Sequence, residues 1–370
     1  MGRQTTVTPR QAGRARPVVV TVFGTRPQFI KLSVLWRPLE RHFRSILIDS
    51  GQHYDFALAA SFHEEIGLRR PDYHLGVGSA PAAAQIGRLA DALDGRLGRL
   101  RPQGVIVVGD TSTTAGAAIA AAYRGIPLAH VEAGLRSFDR SAPEEKNRVL
   151  ADHLATWRFC PNRAAMTHLH NEGITDGVIG SGDVLYENWL RWTPTDRRPL
   201  GIARREYYFV TCHRAENVDD PDCLRRLVDI LCALNRITVF AVHPRAEKNL
   251  RRLHLWSPLE QTRHLRLTAP LPHRPSLVLI ANARSVLTDS GGVQREAYWS
   301  RTPCVVLREA TEWRELIDCG AGVLTGLNGD RVRRALAGRG GGRRADDRVF
   351  GIRKPAKRVA SRLARELIHL

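Results

Sequence analysis

The strongest constraint on the fold is the alternation of short, uninterrupted apolar runs with longer amphipathic segments. The runs, each four to six residues long, lie at residues 18–23, 45–48, 105–108, 128–131, 207–211, 238–242, 285–288 and 304–307. An apolar run without alternation is typical of a strand that is buried on both faces, and an amphipathic segment between two such runs is typical of a crossover helix. The pattern predicts an α/β fold with parallel sheets.

The runs fall into two groups, and 370 residues suit two domains better than one. We expect a basic leader at residues 1–16, an N-terminal Rossmann-like domain at 17–192 and a C-terminal Rossmann-like domain at 193–350. The divide is placed near residues 192–200, where two prolines and a charge cluster interrupt the pattern. Residues 351–370 have a helical apolar period and are expected to pack back on the body. A ligand is expected in the cleft between the domains, at the carboxyl ends of the strands.

The net charge of +19 would suit an anionic partner such as nucleic acid, a membrane surface or a phosphorylated substrate. Only five of the 56 basic residues are lysines, however, and genome composition alone produces such an arginine bias. The Gly/Arg tract at residues 338–344 lacks the interleaved aromatic residues of a single-strand binder. A nucleic-acid-binding protein therefore stays the disfavoured alternative.

The composition also argues against a membrane protein and against a zinc or disulfide scaffold. No apolar stretch approaches the roughly 20 residues of a membrane span. The six cysteines are dispersed and show no metal-ligand spacing. We expect a cytoplasmic protein with no membrane partner.

Residues 24–31 (GTRPQFIK) follow the first predicted strand and have the residue types of an anion-binding site. Glycine permits a tight turn, proline suits an opening helical turn, and the free N–H groups of that turn attract anions. Arg26 and Lys31 add positive charge. Thr25 and Gln28 have capping-box spacing, so the segment is equally explained as a simple helix start.

Three acidic residues follow successive elements of the first half. Asp110 ends the third strand, Glu132 ends the fourth, and Glu144 lies in the segment 141–148. Purely structural interpretations exist: Asp110 as a helix cap, and Ser141 with Glu144 as a capping box in which Glu144 also faces Arg148 at i,i+4. Three such acids also suit acid/base chemistry at an uncharged carbon.

The second half carries its own anion-binding pattern. His213 and Arg214 follow one strand, and His243 follows the next. Residues 288–296 (TDSGGVQRE) join a strand to a helix through two glycines, which leaves free N–H groups and a hydroxyl for a diphosphate. The residues of that turn are Ser290, Gly291 and Gly292, and Glu296, one turn later, could accept from both hydroxyls of a ribose.

In order and spacing, nine segments between residues 18 and 326 resemble the non-hydrolysing branch of the UDP-N-acetylglucosamine 2-epimerase family. They are GTRPQFIK (24–31), SGQHYD (50–55), GDTSTTAGA (109–117), HVEAGLRS (130–137), PEEKNR (143–148), GDV (182–184), TCHRAENVDDP (211–221), VHPR (242–245) and TDSGGVQREA (288–297). The resemblance implies a GT-B fold, in which two Rossmann-like domains face a central cleft and the C-terminal domain holds the nucleotide.

The resemblance further implies inversion of C2 in UDP-N-acetylglucosamine, with expulsion of UDP to an enzyme-held 2-acetamidoglucal and its re-addition. It implies a UDP-linked 2-acetamido sugar as partner, no redox cofactor, no metal, and a homodimer. The family's catalytic carboxylates carry over to Asp110, Glu132 and Glu144. The groups that would stabilise and bind the departing diphosphate are Arg26, Lys31, Arg148, His213, Ser290, Gly291 and Gly292, with Arg214 and His243 beside them and Glu296 on the ribose.

Departures from the family pattern leave the sugar open. Gln28 stands where glutamate is usual, and Arg295 stands where many relatives have an acidic residue. Residues 24–31 together with TEWREL (311–316) look more like the branch that acts on UDP-2,3-diacetamido-glucuronic acid. Residues 269–276 lack the tyrosine expected in the uracil loop. A hydrolysing epimerase and a GT-B glycosyltransferase are the other enzyme alternatives.

Overall fold

The computed structural model describes residues 16–52, 66–192, 199–338 and 354–368. Several predicted features therefore lie outside the described residues: the leader up to residue 15, the end of the SGQHYD segment, the middle of the predicted divide, and the Gly/Arg tract beyond residue 338. Within the described ranges, no helix combines the length and hydropathy that crossing a bilayer requires.

The described strands form two sheets in which every strand pair is parallel. The first sheet has seven strands in the order β3-β2-β1-β4-β5-β6-β7 and the second has six in the order β10-β9-β8-β11-β12-β13. The strands are β1 (Val18–Phe23), β2 (Arg44–Asp49), β3 (Tyr73–His74), β4 (Gly104–Val108), β5 (Leu128–Val131), β6 (Trp157–Cys160), β7 (Val178–Gly180), β8 (Tyr207–Cys212), β9 (Ile237–Val242), β10 (Leu265–Thr268), β11 (Ser285–Thr288), β12 (Cys304–Val306) and β13 (Gly322–Leu324).

Helices connect the strands. Those in the described residues are α1 (Arg26–Glu40), α2 (Ala82–Leu100), α3 (Ser112–Tyr123), α4 (Pro143–Leu154), α5 (Arg163–Asn171), α6 (Val184–Arg191), α7 (Ala215–Val218), α8 (Pro221–Cys232), α9 (Pro244–Arg252), α10 (Trp256–Gln261), α11 (His273–Asn282), α12 (Gly291–Trp299), α13 (Arg314–Asp318), α14 (Gly329–Ala337) and α15 (Pro355–Ile368). A 3₁₀ turn lies at Pro199–Gly201.

The predicted α/β class with parallel sheets is confirmed, and each of the eight apolar runs forms a strand. The sequence pattern missed β3, β6, β7, β10 and β13. Four of these are the outermost strands of the two sheets. An outer strand needs less apolar surface than a central one, as the half-exposed pattern of β10 illustrates, and so leaves a weaker signal.

Each sheet reverses its strand order beside its first strand. β1 pairs with β2 on one side and with β4 on the other, and β8 pairs with β9 and β11 in the same way. Such a switch point opens a crevice outside the carboxyl ends of the strands, where α/β proteins bind ligands. The segments that follow β1, β4, β8 and β11 contain most of the anion-binding and acidic residues predicted from the sequence, and Glu132 and His243 follow the neighbouring strands β5 and β9.

Apolar contacts cover the sheets and also join the two halves. Helix α15 packs on α1, where Val359, Leu363 and Leu367 share one buried cluster with Leu32 and Leu35. A second cluster combines Ile30 and Leu185 of the first half with Trp299 and Trp313 of the second. This shared cluster joins the two halves and contributes to how the two sheets face each other.

One predicted helix start is wrong. The segment 141–148 has no Ser141–Glu144 capping box, because α4 begins at Pro143 and its N-cap is Ala142, which offers no side-chain cap. The Ser141 hydroxyl instead donates to Asp139 at 2.6 Å. Thr111 rather than Asp110 caps α3, which leaves the Asp110 side chain available for other contacts.

Candidate functional site

Glu132 follows β5 in a left-handed backbone conformation, with a φ of 71°. This turn directs a carboxylate that is only 6% exposed into the cleft. Lys31, on the first turns of α1, forms an ion pair with Oε2, and Arg295 Nη1 donates to Oε1 at 2.7 Å. Burial would raise the pKa of Glu132, but Lys31 and Arg295 outweigh it and hold that pKa below its ordinary value.

Asp110 lies just after β4, close enough to Glu132 and Lys31 for their charges to interact. Its carboxylate accepts from Arg148 Nη2 at 2.5 Å, and its backbone carbonyl accepts from Asn147 at 3.0 Å. Burial again works to raise the pKa of Asp110, and the charges of Arg148 and Lys31 lower it by more. The two strand-end carboxylates are therefore both held ionised by cations that reach in from α1, α4 and α12.

Arg148 is the buried centre of a wider ion-pair cluster. Besides Asp110, it donates to Glu145 at 2.7 Å and lies 3.7 Å from a carboxylate oxygen of Glu312 in the second half. These carboxylates raise the pKa of Arg148, against the opposing effect of burial. The guanidinium thus stays charged in the interior, as a site for a diphosphate requires.

Glu144 does not pair with Arg148 as the i,i+4 spacing predicted. It reaches across the cleft instead, with Oε1 3.2 Å from Arg214 Nη1. Arg214 also lies 3.6 Å from Glu312, which places Glu312 between two arginines from opposite halves. Arg148 pairs instead with Asp110 and with Glu145, three residues before it on α4.

His213 and Arg214 are positioned by a carboxylate that sequence reasoning passed over. Asp289, which is fully buried, accepts the backbone N–H groups of His213 at 2.9 Å and Arg214 at 2.8 Å. Its other oxygen lies 3.3 Å from the His213 ring. His243, the exposed N-cap residue of α9, lies near His213, with ring centres 5.6 Å apart and ring planes inclined by 37°.

The glycine turn lies at the start of α12, opposite the carboxylates. Ser290 is the N-cap and accepts from the Val293 N–H at 3.5 Å. A Cβ on Gly291 would press against Glu312 and lie 2.8 Å from Trp313 Nε1, so only glycine fits there. A Cβ on Gly292 would meet nothing closer than 3.7 Å. The first N–H groups of α12 thus lie beside the arginine cluster, as a diphosphate site needs.

Glu296, one turn further along α12, has its pKa shifted in the opposite direction from that of Glu132. Burial raises its pKa to about 8, although Arg295 and Arg26 act against that effect. The closest histidine, His273, lies 3.9 Å away, and its own pKa is lowered to about 3 by burial and by Arg26. His273 is therefore neutral and cannot compensate a charge on Glu296. Arg26 itself, at the start of α1, bridges to the Leu271 carbonyl of the second half.

The structure brings most of the sequence-predicted residues together around one cleft, with His243 at its rim. Sequence reasoning gave no role to four charged residues that the structure places among them: Asp183, Asp289, Arg295 and Glu312. All four lie in segments that carry the family resemblance. The motifs therefore included these residues, but they did not indicate which groups the residues contact. Among the described residues, no three His, Cys, Asp or Glu side chains converge in a way that could hold a metal ion.

Comparison with known proteins gives a consistent result. The family model for UDP-N-acetylglucosamine 2-epimerase matches residues 37–363. A UDP-N-acetylglucosamine 2-epimerase homolog of Methanococcus maripaludis is 39% identical over 321 residues, which cover 85% of this chain and 90% of that protein. The UDP-2,3-diacetamido-2,3-dideoxy-D-glucuronate 2-epimerase of Pseudomonas aeruginosa is 36% identical over 360 residues, which cover 94% of this chain and 99% of that protein.

Solved structures extend the comparison to the fold. The UDP-GlcNAc 2-epimerase of Methanocaldococcus jannaschii, crystallised with UDP-GlcNAc and UDP, matches with a TM-score of 0.87 at 33% identity, over 94% of this chain and 99% of that one. A UDP-glucosyltransferase from Polygonum tinctorium matches with a TM-score of 0.57 at 14% identity, a likeness of fold alone. Together they confirm the predicted GT-B-like arrangement of two Rossmann-like sheets around a cleft.

Proposed function

This chain belongs to the UDP-N-acetylglucosamine 2-epimerase family, and from that premise we propose that it interconverts UDP-N-acetylglucosamine and UDP-N-acetylmannosamine. The family's members are isomerases, and the reaction inverts the configuration at C2 of the sugar. The best support is the arrangement of charged groups in the cleft. The first half contributes two ionised carboxylates, Asp110 and Glu132, and the second half contributes the glycine turn of α12 together with Arg214 and Arg295.

The chemistry explains why groups from both halves of the molecule are needed. The C2 hydrogen lies beside no carbonyl group in the ring, so its direct removal would demand too strong a base. If the C1–O bond breaks with or before that removal, the electron pair leaves with UDP, and the C2–H pair forms the C1–C2 double bond of 2-acetamidoglucal. Return of a proton to the opposite face of C2 and of UDP to C1 completes the inversion.

The residues divide these tasks. A carboxylate on each face of C2 would take and return the proton, and Asp110, Glu132 and Glu144 supply the candidates. The departing diphosphate needs fixed positive charge and donors, which Arg148, Arg214 and the start of α12 offer. Because UDP and the glucal must stay in place until they recombine, the cleft has to exclude water during this step.

Deuterium exchange tests the proposal directly. Incubation of the protein with UDP-N-acetylglucosamine in deuterated water should place deuterium at C2 of both epimers, as read by NMR. Folded protein that binds UDP but catalyses no exchange at C2 would contradict the assignment. Release of free N-acetylmannosamine in the same sample would instead identify a hydrolysing epimerase.

A second sugar is favoured by one observation. The Pseudomonas aeruginosa relative, which is named for a diacetamido-glucuronate substrate, aligns over 94% of this chain. Comparing kcat/KM for UDP-N-acetylglucosamine and UDP-2,3-diacetamido-2,3-dideoxy-D-glucuronate decides between the two. A ratio above about 100 in favour of the uronate would reassign the substrate while leaving the reaction unchanged.

The proposal extends to the location, the oligomeric state and the partners of the enzyme. We expect a cytoplasmic homodimer that binds no nucleic acid. Light scattering coupled to size-exclusion chromatography measures the mass, and twice the 41.3 kDa of the chain is the expected result.

A further inference from the structure

Arg295 connects the two halves of the molecule at the centre of the cleft. It projects from α12 in the second half and is 3% exposed. Its Nη1 donates to Glu132 Oε1 and to Asp183 Oδ2, both at 2.7 Å and both in the first half. One guanidinium nitrogen therefore bridges two buried carboxylates that lie far from it in the sequence.

The second half fixes the same guanidinium in position. Its plane lies over the indole ring of Trp313, with Cζ 3.9 Å from the ring centre. Its Nε donates to the carbonyl of Gly291 at 3.2 Å, the first residue of α12. Arg295 thus touches the glycine turn through Nε and Glu132 through Nη1, and a displacement of the turn moves both contacts.

The charged groups around Glu132 come from four segments. Lys31 of α1 and Arg295 of α12 are positive, and Asp110 after β4 and Asp183 before α6 are negative. Lys31 belongs to the same half as Glu132 and holds Oε2 however the halves are placed. Among the residues that the structure describes, Arg295 is the cation that pairs with Oε1, and it can do so only when α12 is seated against the first half.

We propose that Arg295 is a positioning residue that holds the Glu132 carboxylate in its orientation and offsets the effect of its burial while the two halves are closed on each other. Through its contact with Gly291, it ties the acid/base group to the turn where the diphosphate binds. This inference rests on the proposed function, because it assumes that Glu132 takes part in proton transfer at C2.

Arginine suits this role better than lysine would. A guanidinium is planar and always charged, and it can stack on an indole while donating from several nitrogens. A lysine ammonium at the same place would keep the charge but lose the stacking and the fixed fork. Arg295→Lys should therefore preserve part of the effect, and Arg295→Gln should remove it.

The test is the pH profile of kcat/KM for C2 exchange. If Glu132 must be ionised, loss of Arg295 raises its pKa, and the acid limb of the profile moves to higher pH. We expect a shift of about one pH unit or more in Arg295→Gln, since a close opposite charge changes a carboxyl pKa by that much. Arg295→Lys should shift the limb less. Arg225→Gln removes an exposed arginine of α8 as the matched control and should leave the limb in place.

Removal of Arg295 leaves Asp183 buried and unpaired, which could prevent folding. The double variant Asp183→Asn with Arg295→Gln removes both charges, and asparagine can still accept the Leu185 N–H that Asp183 now caps at 2.8 Å. This variant should show a smaller shift in the same direction, because the negative charge of Asp183, which acts on Glu132 against Arg295, is lost as well. A folded single or double variant whose activity falls equally at every pH, with an unmoved acid limb, overturns the inference alone. Absence of C2 exchange in the wild type overturns the proposed function and the inference with it.

Discussion

At the scale of single residues, two glutamates of one cleft are set to opposite protonation states by their neighbours. Glu132 accepts from a lysine and an arginine, which lower its pKa despite burial. Glu296 is just as buried, but its nearest histidine is neutral, and its pKa rises to about 8. An ionised and a largely neutral carboxyl group therefore coexist in one cleft.

Replacement of Asp110 by asparagine should separate binding from turnover. The asparagine side chain keeps the shape of Asp110 but cannot take or return a proton, and Arg148 keeps its contacts to Glu145 and Glu312. We expect UDP affinity within about threefold of the wild type and kcat lowered by about 100-fold or more, the usual contribution of a general acid or base. Calorimetry with UDP and the deuterium assay measure the two quantities. An unchanged kcat would remove Asp110 from the mechanism.

Glu296 should release a proton when UDP binds. In the free protein its raised pKa means that the carboxyl is mostly protonated at pH 7. If the ribose hydroxyls donate to it, they stabilise the ionised form, lower the pKa and expel the proton. Calorimetry at pH 7 in buffers of different ionisation enthalpy should therefore report more proton release for the wild type than for Glu296→Gln. Equal release from both proteins would show that Glu296 does not titrate on binding.

At the scale of secondary-structure elements, several of the candidate site residues lie at the starts of helices. On one of these helices, the contacts of Gln28 explain why it stands where the family usually has glutamate. Gln28 on α1 accepts from the N–H groups of Gly24 at 2.9 Å and Thr25 at 3.1 Å. Its amide nitrogen donates to the Val108 carbonyl at the end of β4, at 2.8 Å. A glutamate could make only the first pair of contacts, so glutamine here ties α1 to the strand that precedes Asp110.

The two glycines of α12 form a matched pair for mutation. Gly291→Ala places a methyl group against Glu312 and Trp313, so we expect a lower melting temperature and UDP affinity reduced by about tenfold, the equivalent of one charge-assisted hydrogen bond. Gly292→Ala has room for its methyl group and should raise the free energy of unfolding by about 0.5 kcal/mol, since alanine suits a helix better. Thermal unfolding with and without UDP measures both. Equal melting temperatures for the two variants would contradict the packing argument.

At the scale of the whole molecule, ion pairs and apolar contacts together seat one half on the other. Arg295–Glu132 and Arg214–Glu144 cross the cleft, and Trp299 and Trp313 pack with Ile30 below it. Arginines such as Arg214 and Arg295 thus pair with carboxylates inside the site.

We predict that the net charge of +19 does not make the protein a nucleic-acid binder, because genome composition alone produces the arginine bias from which that charge arises. Non-specific binding of that kind depends on released counterions and weakens steeply with salt. A gel-shift titration with duplex DNA and with single-stranded RNA should show no complex at about 0.15 M salt. A complex that persists at that salt concentration would reopen the alternative function.

How much of the site was predictable depends on the range of the interaction. The turns after β1 and β11 and the acids after β4 and β5 could be identified from the sequence, because glycine, proline and strand-end polar residues act locally. The partners could not. The i,i+4 spacing predicted an ion pair between Glu144 and Arg148. In the structure, Glu144 pairs with Arg214, and Arg148 pairs with Asp110.

The sequence by itself determined the α/β class and the strand ends that carry the chemistry, because buried strands need apolar runs and phosphate turns need glycine. Only the tertiary structure decided which cation reaches which carboxylate. Arg295 and Glu132 lie on different sheets, and their contact exists because the second half is seated on the first. Such a contact depends on the packing of whole domains, which no local pattern of residues encodes.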